Sequence, residues 1–156
     1  MKKKITLKNI YFFVSLVLLL SLMCLIFYLS SQTADESSQT SGSFIKVIYD
    51  YIGLLLSQEQ IRTIAHFCEY ALLGFLTNNA IFSKTYKTKT VISIIAAWGY
   101  AWTDEIHQIF VEGRAFQLID LTVDLAGITS GALIFCLFVK IIKTLISKRE
   151  RRLKNE

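Results

Sequence analysis

Seven ionisable side chains, His66, Glu69, Asp104, Glu105, His107, Asp120 and Asp124, lie inside or at the ends of long apolar stretches. Carboxylates and a histidine held in low dielectric are suited to general acid–base work. Their types also suit a divalent cation, and His66-x2-Glu69 puts two ligands on one helix face. No HExxH or cysteine-rich pattern accompanies them, so no metal and no other cofactor is assigned. Arg62 and Arg114 flank the set, and guanidinium groups there suit an anion such as a lipid phosphate or a peptide carboxylate. A nucleophilic mechanism has little support, because Cys68 and His66 do not form a dyad on a useful shared face. There is no glycine-rich phosphate loop, which speaks against nucleotide use. His107 taken alone reads as a surface or interface histidine.

The elements that must position these residues are membrane helices. The chain has 156 residues, 53% of them hydrophobic and 19% charged, with a mean hydropathy of +0.47. That excludes disorder and disfavours an ordinary soluble domain. Ile10 to Leu29 is uncharged for 20 residues, enough to cross a bilayer. It is too long for the core of a signal peptide, and Ser30-Ser31-Gln32-Thr33 is no small-x-small cleavage site, so a retained span is expected. Lipidation at Cys24 is disfavoured by the bulky Met23 before it. Further spans are expected at about 64–82, 90–106 and 120–139. Between the first two, Ser30 to Ser43 reads as a polar loop and Phe44 to Leu56 as a short helix in the outer interface. Ser57 with Gln60 resembles a capping box that starts the next helix. Cys24, Cys68 and Cys136 are expected as buried free thiols.

The net charge of +5 could suggest nucleic acid, but the basic residues sit at the ends of apolar stretches. With four spans and the N-terminus inside, inner segments hold 14 of the 17 lysines and arginines. These are Lys2, Lys3, Lys4 and Lys8, then Lys84, Lys87 and Lys89, then seven in a basic tail over 140–156. The asymmetry is the positive-inside pattern, and it puts both termini in the cytoplasm. The tail is expected to lie against anionic lipid of the inner leaflet; nucleic acid is not an expected partner.

Depth then brings the acidic groups together. Glu69 lies 15 residues from Lys84, Asp104 lies 15 from Lys89, and Asp124 lies 16 from Lys140. At about 1.5 Å per residue all three reach one level, about 6–8 Å below the outer surface. Arg62, His66, Glu69 and Tyr70 share a stripe of roughly 100° on one helix. Asp120, Asp124, Gly127 and Gly131 share roughly 60° on another, so Asp124 points into the bundle on its small-residue face. Tyr100, Asp104, His107 and Gln108 share a side if the third span continues past Thr103. A structural network would use Arg62 and Arg114 to neutralise carboxylates, with Arg114 the natural partner for Asp104 and Glu105. An outward polar pocket that binds or transforms something is the sharper expectation.

Taken in order, these motifs resemble the VanZ-like family of small bacterial membrane proteins. The resemblance runs from about Ser30 to Gly131. It rests on Ser30-Ser31-Gln32 with Glu36-Ser37 and Ser41, on His66-x3-Tyr70-x2-Leu73-Gly74, on Asp104-Glu105-x2-Gln108-x-Phe110-x2-Gly113-Arg114, and on Asp120-x3-Asp124-x2-Gly127-x3-Gly131. One departure is Glu112, where many relatives place proline. The resemblance implies a role at the bacterial cell envelope. The family takes its name from a protein associated with teicoplanin resistance.

The expectation is therefore an all-α membrane protein, a four-transmembrane-helix bundle with an outer interfacial helix, as one domain over 1–156. Its acid–base candidates are His66, Glu69, Asp104, Glu105 and Asp124. Its ligand-binding candidates are Arg62, Tyr70, Gln108, Arg114 and Asp120. The expected partners are the lipid bilayer and an anionic envelope lipid or cell-wall precursor. A small transporter, or a helper subunit packing through Gly127 and Gly131, is the alternative.

Overall fold

The computed structural model describes residues 6–53 and 56–155. Five helices account for nearly all of them: α1 Leu7–Ser30, α2 Ala34–Ile52, α3 Gln58–Thr85, α4 Thr90–Gln108 and α5 Leu118–Asn155. Among the described residues there is no strand.

Local chemistry sets the boundaries. The Thr6 side chain accepts from the Asn9 N–H at the start of α1. Ser57 and Gln60 form the expected capping box, which opens α3. A second box, Thr33 with Glu36, opens α2 far earlier than expected. The segment expected as a polar loop to Ser43 followed by a short helix is therefore one helix from Ala34. Composition argued for a loop, but Thr33 and Glu36 satisfy the first backbone donors and the apolar residues beyond extend the turn. Gly53, at φ +70°, ends it in the left-handed region that glycine enters without strain.

Two helices, α1 and α5, are long and apolar enough to cross a membrane. Their large side chains are mostly exposed, as with Phe13, Leu18, Leu25, Leu133, Leu137 and Phe138, a surface compatible with lipid. Helix α3 carries the charged stripe and α4 ends in acidic residues. That polarity keeps both from the same standard of apolar length. Cys24 and Cys68 are exposed and Cys136 is half-buried, so the thiols are free but not buried as expected. Cys24 and Cys68 sit on outward helix faces, whereas the Cys136 sulfur contacts Thr90 and Asn78.

Helix α3 is the axis, packing against each of the other four. Tyr70, Leu73, Ala97, Ala101, Leu121 and Ile128 form the core with Leu22 and Ile26 of α1. The seam with α5 is the tightest. A Cβ on Gly127, Gly131 or Gly74 would collide with the backbone carbonyl of Phe67, Ala71 or Ile128 respectively. The small-residue face of α5 is thus occupied by α3, which removes it as the docking face of a helper subunit. Toward the end nearer the basic tail, uncharged polar groups staple the helices. Asn78 Nδ2 donates to the Ala132 carbonyl at 3.1 Å, and Ser93 Oγ donates to Asn78 Oδ1 at 3.2 Å. Asn79 takes the Tyr11 hydroxyl at 2.6 Å and donates to Ser15 Oγ at 3.1 Å.

Helix α5 runs unbroken into the basic tail, with no glycine or proline after Gly131. The tail therefore extends the helix axis instead of turning into a separate segment.

Gly131→Leu sets a side chain against a fixed backbone oxygen. It should cost more than the usual 1–3 kcal/mol of overpacking and sharply lower the yield of folded protein in detergent. Gly99→Ala, where nothing lies within 4 Å of the new Cβ, should leave the melting temperature unchanged or raise it.

Candidate functional site

The end of the bundle opposite the basic tail gathers the candidate ionisable residues. Helix α4 does continue past Thr103, and its last turn buries Asp104, Glu105 and Gln108. Asp104 Oδ2 accepts two hydroxyl bonds, from Ser30 Oγ at the end of α1 (2.7 Å) and from Tyr70 on α3 (3.0 Å). Asp124 on α5 is fully buried and pairs its Oδ1 with His66 Nδ1 at 3.3 Å. The His66 and Tyr70 rings lie parallel at 6.3 Å, one helical turn apart. The two carboxylates are thus served by adjacent residues on one stripe of α3.

Glu105 finds a partner that sequence spacing did not reveal. Its Oε2 accepts the Gln117 backbone N–H at 3.1 Å, at the entrance to α5. An acidic residue at the C-terminal end of α4 is unfavourable there, but the positive end of α5 compensates it. Arg114, expected to neutralise this pair, does something else. Its Nε and an Nη donate to the carbonyls of Gln32 (2.8 Å) and Leu29 (3.3 Å), capping the end of α1. The α4–α5 loop that carries it is pinned to α2 as well. Ala34 N–H donates to the Glu112 carbonyl at 3.2 Å, and Gly113 (φ +74°) abuts Ala34. Glu112 thus serves through its backbone, so the turn forms without the proline common at that position.

Arg62 likewise forms no ion pair, and among the described residues His66–Asp124 is the single one within 4 Å. Both arginines instead line a cavity of about 260 Å³ bounded by α1, α2 and α3, with His66 and Glu69 in its wall. Burial, and after it the neighbouring Arg62 guanidinium, pull Arg114 below the ordinary arginine value. His107 is half-buried, stacked on Phe27 at 4.4 Å and 3.1 Å from Ser31 Oγ. Asp120, one turn before Asp124 on α5, lies in the wall of a second cavity on the α5 side. Among the described residues no three His, Cys, Asp or Glu side chains converge as a metal-binding set.

Residues outside the sequence-based site candidates complete the site, although Ser30, Ser37 and Ser41 belong to the serine-rich motif quoted for the family resemblance. Ser30 holds Asp104, and Ser37, Thr40 and Ser41 of α2 line the arginine cavity. The Thr33–Glu36 box was the available signal, since it turns those serines and threonines into one helix over the cavity. One oxygen each of Asp104, Glu105 and Asp124 is buried without a hydrogen-bond partner, as is Gln108 Nε2. Two chemical capacities result. Two guanidinium groups free of carboxylates can hold an anion, and His66, oriented through Nδ1 by Asp124, can exchange a proton at Nε2.

Among known proteins, the family model described as VanZ/LLP1 matches residues 12–139. No curated protein and no solved structure gives a significant match.

His66→Ala strands a fully buried carboxylate and should cost about 3–5 kcal/mol in unfolding free energy. His66→Ala with Asp124→Ala should cost clearly less than the sum of the single changes, measured by denaturation in detergent.

Proposed function

The chain belongs to the VanZ/LLP1 family, and from that membership and its two unpaired arginines we propose a multi-pass protein that binds the anionic group of a lipid-linked envelope component. Helices α1, α3, α4 and α5 are the four spans, in the bacterial cytoplasmic membrane. Both termini face the cytoplasm. The excess of lysine and arginine at one end supports that orientation. Helix α2 lies at the outer interface, where its serine- and threonine-rich half covers the chamber.

The observation that carries the reading is the state of Arg62 and Arg114. They share one cavity with Glu69, Arg62 lies close enough to disfavour the charge on Arg114, and among the described residues neither has a carboxylate within 4 Å. A phosphate or carboxylate between them would supply the missing negative charge. Of the acid–base candidates, His66 and Glu69 stand in the wall of that chamber with Asp124 bonded behind His66, while Asp104 and Glu105 are buried behind the wall; His66 and Glu69 are the groups that would exchange protons with what it binds. Sequestering or altering a lipid-linked precursor is also the route by which such a protein would change sensitivity to teicoplanin.

A transporter is the weaker alternative. The inner half of the bundle is closed by the Asn78, Ser93 and Ala132 bonds and carries no charged residue within it.

Arg62→Gln should weaken binding of phosphatidylglycerol by about tenfold or more in nanodiscs of phosphatidylcholine, read as bound lipid by native mass spectrometry. Lys46→Gln, an exposed α2 residue outside the cavity, should leave it unchanged. Equal retention by the wild-type chain and the folded Arg62→Gln variant would refute the reading.

A further inference from the structure

The arginine cavity has a neighbour. A second cavity of about 470 Å³ lies on the α5 side of α3, bounded by Glu59, Thr63, Gln117 and Asp120. Arg62 and His66 line both cavities. Helix α2 passes between them, with Ser37, Thr40 and Ser41 toward the first and Ser38 toward the second. It is packed on α3 and not along α1 or α5, so each flank stays open. The two cavities therefore meet beneath α2 at a shared wall made by Arg62 and His66. Each volume is of the order of small-molecule sites, about 300–1,000 Å³.

The two sides differ in charge. On the α1 side Arg62 and Arg114 outnumber the one carboxylate, Glu69, whereas on the α5 side Glu59 and Asp120 outnumber Arg62. An anion is drawn to the first and repelled from the second. Carboxylates accept hydrogen bonds only, so the second side favours a group rich in donors.

We propose that one ligand occupies both cavities: its anionic group lies between Arg62 and Arg114, and a hydroxyl-bearing head group attached to it reaches under α2 to Glu59 and Asp120. The ligand class is thus an anionic amphiphile whose phosphate or similar group carries a polyol or sugar. This rests on the anion-binding reading above and adds the head group to it.

The test compares two lipids of equal charge in phosphatidylcholine nanodiscs holding the full chain. Phosphatidylglycerol carries a polyol on its phosphodiester, and phosphatidylmethanol carries none. The wild-type chain should bind the first about tenfold more tightly. Glu59→Gln with Asp120→Asn should abolish that preference, and Arg62→Gln should weaken both lipids alike. Ser38→Trp, which fills the α5-side cavity from α2 without touching the buried carboxylates, gives a second route to the same loss. Equal affinity of the wild-type chain for both lipids, or a preference that survives in folded variants of both kinds, overturns the two-cavity ligand while leaving the anion site standing. Failure of both lipids to bind, or indifference of both to Arg62→Gln, overturns the anion site and this inference with it.

Discussion

Helix α5 reaches α3 only because Gly127 and Gly131, with Gly74 opposite, present no side chain where carbonyl groups already stand. That close approach does more than fill space. It delivers Asp124 to within 3.3 Å of His66, and it anchors the outer end of α5 so that the Gln117 N–H meets Glu105. The same seam fixes the stripe of α3 that carries Arg62, His66, Glu69 and Tyr70. A wider separation would leave a carboxylate in a low-dielectric interior with nothing to bond, a costly state for any bundle.

Three buried carboxylates meet three different answers in this bundle. Asp104 is held by two hydroxyls, Asp124 by an imidazole and Glu105 by a helix entrance. None takes an arginine. The guanidinium groups are left for other work, Arg114 partly as a clamp on the end of α1 and Arg62 in the wall shared by both cavities. Structural ion pairing would have consumed the positive charge inside the protein. Among the described residues no carboxylate lies within 4 Å of either guanidinium, although Glu69 shares their cavity.

Much of this was readable before any coordinates. Counting from the flanking lysines put Glu69, Asp104 and Asp124 at one depth, because a helix has a fixed rise. The fold buries Asp104 and Asp124 at the same end of the bundle and puts Glu69 in the cavity wall. The glycine stripe marked the face of α5 that packs, and Ser57-x2-Gln60 marked the start of α3. Partners were harder to read than positions. Arg114 looked like the counter-ion of Glu105 because side chains are visible in a sequence and backbone N–H groups at a helix entrance are not. The early start of α2 was hidden by composition, since serines and threonines suit loops until Thr33 and Glu36 are seen to cap one another. The inner staples of Asn78, Asn79 and Ser93 were missed because uncharged polar residues stand out little from an apolar run.

Helix α5 spans 38 residues, about 57 Å, with no glycine or proline beyond Gly131 to act as a joint. Asp120 stands near its first turn and five cationic residues, Lys148, Arg149, Arg151, Arg152 and Lys154, near its last. Such a rod behaves as a lever whose fulcrum is the glycine contact with α3. A tilt of about 5° at the fulcrum moves the basic end by roughly 3 Å, so the placement of Asp120 at one end and of a polybasic arm at the other are mechanically joined by one piece of backbone.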